Sequence, residues 1–151
     1  MSENAERRVN YALVKIVTEQ LVVEPTYFEE NKPVKINVGL NFGVDSKQKL
    51  LKVLFKNDFV QDERSFITIE AGCIFAIDPE SWNFFTGQQS GFILLPKHFA
   101  GHLASITAGT ARGILHERTD QTPMNRFFIP ANNIEEIIQQ DVNLPLEPQQ
   151  N

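Results

Sequence analysis

Leu95 to Thr119 reads LPKHFAGHLASITAGTARGILHERT. Pro96 suits the first turn of a helix, where its missing N–H is not needed. Beyond it, small residues recur every four positions. Ala100, Ala104 and Ala108 form one ridge; Gly101, Ser105, Gly109 and Gly113 form the next. That spacing keeps each set on one side of a helix. Phe99, Leu103, Ile106 and Ile114 make a bulkier flank. Gly101, Gly109 and Gly113 each cost the helix about 1 kcal/mol relative to alanine, so it is not stable alone. A flat face of small side chains lets another backbone come close. That backbone belongs either to this chain's own sheet or to the same helix of a second copy. In the second case the interface is Ala100, Gly101, Ala104, Ser105, Ala108 and Gly109.

A sheet is legible upstream. Val34 to Phe42 alternates without error: Val34, Ile36, Val38, Leu40 and Phe42 face one way, Lys35, Asn37, Gly39 and Asn41 the other. Period two defines a strand. Leu50 to Val60 puts Leu51, Val53, Phe55 and Phe59 on one face and Lys52, Lys56 and Asp58 on the other. Phe66 to Ile77 groups Ile67, Ile69, Ala71, Cys73, Phe75 and Ile77, and its Gly72 marks a bulge or a close backbone approach. Tyr11 to Val23 is rich in β-branched residues and reads as a first strand, ended by Glu24-Pro25. Downstream, Asn133 begins a short helix with Glu136 in a capping-box-like position, and Ile134, Ile137 and Ile138 form its apolar stripe. The expected class is α+β: a four-stranded antiparallel meander, a long helix and a short C-terminal helix. One domain spans residues 9–142, between a disordered N-terminus at 1–8 and a disordered, proline- and glutamine-rich tail at 143–151.

Asp78 to Gly91, DPESWNFFTGQQSG, reads as a loop with Trp82, Phe84 and Phe85 at its centre. These aromatics either plug the end of the core or line a binding surface.

Catalytic chemistry finds little support. His98 and His102 are four apart on the long helix, but no Glu stands between them as in a zincin. Cys73 lies in an apolar strand pattern without a cationic neighbour in sequence. No acid, base and nucleophile assemble, so the chain reads as a non-enzyme without cofactor or metal. A net charge of −5 argues against nucleic-acid binding. A lone cysteine fits a reducing cytoplasm, no apolar signal segment opens the chain, and no run is long enough to insert in a membrane. Apolar surface remains: a sheet with one strongly apolar face, 12 phenylalanines and a helix stripe of isoleucines. Such surface marks an interaction site or an oligomer contact.

The order of elements resembles the SecB export-chaperone family. The resemblance rests on Leu13 to Glu24 with the following proline, VKINV (34–38), GCIFAI (72–77), ILLP (93–96), Arg112-Gly113 and IPANNIEEI (129–137). It implies an ATP-independent holdase, a homotetramer built as a dimer of dimers, binding unfolded preproteins in long apolar grooves. Carried over by position, the client groove is Ile36 and Val38, with Ile67, Ile69 and Ala71. Trp82, Phe84 and Phe85 join it from the crossover, and Ile134 and Ile138 from the last helix. The family also docks on the SecA motor through acidic sheet residues and a zinc-binding tail. Here the sheet positions are Gln20, Glu24 and Thr68, so Glu24 alone is acidic, and no cysteine follows Val142.

Two other readings use the same residues. One is an adaptor or antitoxin-type chaperone dedicated to a single protein partner. The other is a small-molecule carrier or enzyme with the aromatic loop as a pocket lid.

Overall fold

The computed structural model describes residues 8–130 and 134–146. The expected N-terminal disorder at 1–7, the cap at Asn133 and the end of the tail, 147–151, lie outside the described residues.

Four long strands form one antiparallel sheet: β1 (Tyr11–Val23), β2 (Lys35–Asp45), β3 (Leu50–Gln61) and β4 (Arg64–Ile77). The α+β plan is the expected one, but the strand order is β1-β4-β3-β2. Only β2, β3 and β4 form a meander. Asp62 and Glu63, both at positive φ, make the tight turn between β3 and β4. The β1–β2 connection cannot be a hairpin. It runs from Glu24 to Val34, holds Pro25 and Pro33, and contains a 3-10 turn at Pro25–Tyr27. The Glu24 N–H donates to the Phe66 carbonyl at 2.8 Å, which fastens the exit of β1 to β4. The result is a Greek-key order with β1 and β2 as the two open edges.

The long helix, α2 (Lys97–Thr119), lies over β3 and β4. Leu51, Val53, Phe55 and Phe59 of β3 face it, in register with Phe75, Cys73, Ala71 and Ile67 of β4. Ala100, Ala104, Ala108 and Ala111 are wholly buried, so the alanine ridge packs inside the chain. Thr107 and Thr119 are buried too, and their hydroxyls donate to the Leu103 and Leu115 carbonyls at 2.8 and 2.9 Å, which satisfies them without a partner element. Pro96 stands at the N-cap, and the Lys97 N–H is capped from a distance by Asp141 Oδ1 at 2.9 Å. Gly72 is a close approach: a Cβ there would stand 2.9 Å from a Leu54 methyl.

Three further expectations are corrected. Asp78 to Gly91 is not all loop, since Pro79–Thr86 forms helix α1. Asp78 caps it, accepting from the Ser81 N–H at 3.2 Å, and Pro79 occupies its first turn. The residues expected as tail from Asn143 begin in a strand: β6 (Val142–Pro145) pairs antiparallel with β5 (Phe92–Leu95). Leu144 and Leu146 pack on the core there, which an isolated proline-rich segment does not suggest. The C-terminal helix is a single 3-10 turn, Ile134–Ile137.

The core has two centres. One gathers Phe55, Phe59, Phe66, Ile67 and Ile69 under the C-terminal half of α2; the other gathers Val53, Phe75, Trp82, Phe85 and Leu103 at the opposite end. Among the described residues, no helix is long and apolar enough to cross a membrane.

Candidate binding surface

α2 does not reach across to β2. The even residues of that strand lie on the helix side of the sheet, because Ile36, Val38, Leu40 and Phe42 are in register with Phe59, Asn57, Phe55 and Val53. Ile36 and Val38 are 39% and 40% exposed, and Val34 just before the strand is also exposed. Leu40 and Phe42 are half-buried. Opposite them stand Ile137, Ile138 and Val142. Between the two walls runs an open groove of about 700 Å³. An edge strand with unpaired main-chain groups and an apolar flank accepts another extended chain.

The turn Ile134–Ile137 forms the far wall and packs on α2. Its seat is tight: a Cβ on Gly101 would stand 3.3 Å from the Glu135 side chain, which would have to give by a few tenths of an ångström. Arg112 fixes the incoming chain, donating from Nε to the Ile129 carbonyl and from Nη2 to the Pro130 carbonyl, both at 2.9 Å. The Asp141 cap on α2 fixes the outgoing chain. Glu135, Glu136 and Asp141 are exposed and leave this rim acidic.

The approach to β2 is held by a buried carboxamide. Gln61 Oε1 accepts from the Glu29 N–H at 2.9 Å, and Gln61 Nε2 donates to the Glu29 and Lys32 carbonyls at 2.8 and 3.2 Å. Lys32 bridges Glu29 and Asp62, and its hydrogen bonds to both, Asp62 first, raise its pKa above the usual lysine range.

The expected client residues fall into separate places. Ile36 and Val38 are at the open edge. Ile67, Ile69 and Ala71 are wholly buried beneath α2, so they are core of this chain. The alternation that groups them is real, but the helix covers their face. Trp82 and Phe85 are buried and plug the second core centre. Phe84 is half-buried, 6.0 Å from the Phe85 ring. Ile134 is buried, and Ile138 is half-buried on the groove wall. Of the expected oligomer interface, Ala100, Ala104 and Ala108 face the core and Gly101 faces Glu135, which removes them from any outer surface. Ser105 and Gly109 stay half-exposed. Glu24 is partly buried at the end of β1; Thr68, on the uncovered sheet face, hydrogen-bonds Asp58, and Gln20 is exposed. His98 is exposed, and His102 Nε2 lies 2.7 Å from the Tyr11 hydroxyl. No group of three or more His, Cys, Asp or Glu placed to hold a metal occurs among the described residues.

Two features escaped sequence reasoning. The β1 edge exposes Leu13, Val14, Ile16 and Val22. Asn57, on the helix side of β3, is wholly buried, and neither its Nδ2 nor its Oδ1 has a partner among the described residues. The signal for Asn57 was there: it is the one polar residue on the apolar side of LLKVLFKNDF (50–59).

A sheet of this order, with one covering helix and an open apolar edge, places the chain among α+β sheet-and-helix proteins. No protein-family model matches the sequence, and no curated protein matches it. Among solved structures, it is similar to a SecB-like chaperone of Mycobacterium tuberculosis, in complex with a ChAD peptide from the HigA1 antitoxin. That match has 9% identity and a TM-score of 0.38, and covers 82% of this chain and 88% of the other.

Proposed function

We propose that the chain is an ATP-independent holdase that binds extended, apolar polypeptide along the β2 edge. The observation that carries this reading is the exposure of Ile36 and Val38 on an edge strand beside the Leu40–Ile138 groove. A client strand gains main-chain hydrogen bonds from the edge and buries its own apolar side chains, at about 25 cal/mol per Å² removed from water. Neither contribution reads a particular sequence. The acidic rim favours clients whose apolar stretch is flanked by basic residues.

Assembly as a homotetramer belongs to the same reading. With the alanine ridge committed to the core, the outward ridge of Ser105, Gly109 and Gly113 is what α2 can offer a second copy. Docking on a SecA-type motor has only Glu24 in its favour, and no step of the reading depends on it.

The test is light scattering during size exclusion, with and without a reduced, unfolded model client, alongside an aggregation assay. A mass near four chains that increases with client and suppresses its aggregation supports the holdase. Binding to a single sequence, without general suppression, identifies a dedicated adaptor instead. Indifference to every unfolded client removes the reading.

A further inference from the structure

A strand that joins the β2 edge meets different chemistry on the two faces of the sheet. On the helix side stand Ile36, Val38, Leu40 and Phe42, with Ile137 and Ile138 across the groove. On the other face stand Lys35, Asn37, Gly39 and Asn41, all exposed. Behind Asn37 and Gly39 on that face are Asp58 and Lys56 of β3, so its middle is polar two strands deep.

The two edges of the sheet also differ in regularity. β1 exposes apolar residues, but its pairing with β4 shifts twice, between Leu13 and Lys15 and between Thr18 and Gln20. The shifts break its alternation: Leu13 and Ile16 lie on the helix side in register with Phe75 and Cys73, while Val22 lies on the other face in register with Thr68. Irregularity of this kind blunts an edge. β2 pairs with β3 without a shift from Lys35 to Asp45, so it presents one unbroken period of two.

Alternate residues of an added strand fall on opposite faces. An apolar client residue beside Asn37 stays in water and gains little. A polar one beside Val38 loses hydration without finding a partner. A slip of one residue exchanges the two sets, so the pairing has a preferred parity. We propose that the β2 edge selects clients by period: the segment it takes is extended, with apolar residues at alternate positions on the helix side and polar ones between them on the open face. An unfolded chain presents such a segment wherever a half-buried strand has yet to form. Segments with apolar residues three and four apart put them on both faces and bind less well. The inference rests on the holdase reading and names the class of segment it takes.

The probes are two fluorescein-labelled peptides of identical composition with terminal lysines. One alternates leucine and serine; the other carries its leucines in a single block. Wild type binds the alternating peptide about tenfold more tightly, read by fluorescence anisotropy. Parity is read by disulfide trapping, since residues opposite each other on one face of a strand pair are close enough to bridge. Val38→Cys links to an alternating peptide with cysteine in place of one leucine, and Asn37→Cys to one with cysteine in place of one serine. Each link forms severalfold faster than the crossed pairing, and the native Cys73 is buried. If the block peptide binds as tightly, or the crossed pairs link as fast, the period is refuted and the holdase reading stands. If wild type binds neither peptide, both are refuted. Val38→Cys that links to a second copy and excludes the peptide assigns the edge to self-association, which also refutes both.

Discussion

Val38 and Asn57 face each other across the β2–β3 ladder, the first on the open edge and 40% exposed, the second wholly buried with no hydrogen-bond partner among the described residues. The pair inverts the usual order, in which the apolar residue is inside and the amide outside. Val38 lies on the edge strand beyond α2, whereas Asn57 lies on a strand that α2 packs against.

Replacing the exposed apolar pair tests the β2 edge. Ile36→Lys and Val38→Lys each change stability by no more than about 0.5 kcal/mol, as expected for exposed positions. Charged side chains on an edge strand block further pairing, so the suppression of client aggregation falls severalfold. Denaturant melts and a turbidity assay on the same preparations separate the two effects.

The two ridges of α2 give opposite outcomes. Ala104→Leu forces a large side chain between α2 and the sheet and costs about 1–3 kcal/mol. Gly113→Leu points outward, where a Cβ meets nothing within 4 Å. It leaves the protomer folded, and helix propensity there improves by about 1 kcal/mol. The proposed assembly predicts that Gly113→Leu lowers the mass in solution; an unchanged mass removes the outward ridge from the interface.

The turn between β3 and β4 carries avoidable strain. Glu63 has φ 63°, a left-handed conformation without glycine's freedom. Glu63→Gly stabilises the chain by about 1 kcal/mol, read as a shift in the denaturant midpoint at constant slope.

Asp78 gives the acid limb of stability a specific contributor. Its bond with Ser81, and the backbone N–H groups around it, lower its pKa below the usual carboxylate value. A group depressed on folding stabilises the protein above its unfolded pKa, and this contribution is lost as pH falls through the folded one. Asp78→Ala is therefore less stable near neutrality and shows a shallower loss of stability on acidification, measured by melts across the acid range.

The sequence made the local structure plain and left its assembly open. Alternation in Val34 to Phe42 and the small-residue spacing of α2 each follow from neighbours in the chain, and both elements form where expected. Which strand lies beside β1 is a long-range matter, decided by a proline-containing connection too long for a hairpin. Helix α1 was legible from Asp78-Pro79-Glu80, a cap followed by a first-turn proline, although its centre, Trp82 to Phe85, has no clear helical period. Period two showed that Ile67, Ile69 and Ala71 share a face; it could not show that α2 covers that face and stops short of β2. So Ile36 and Val38 lie exposed at the open edge, while their expected groove partners on β4 are core.

Hydrogen exchange read along the whole chain, with and without an unfolded client, tests the β2 edge most directly. The account predicts that amides of Lys35 to Leu40 become protected when client is added. Protection confined to the β1 edge, or no change in β2 with a client that is demonstrably bound, would contradict it.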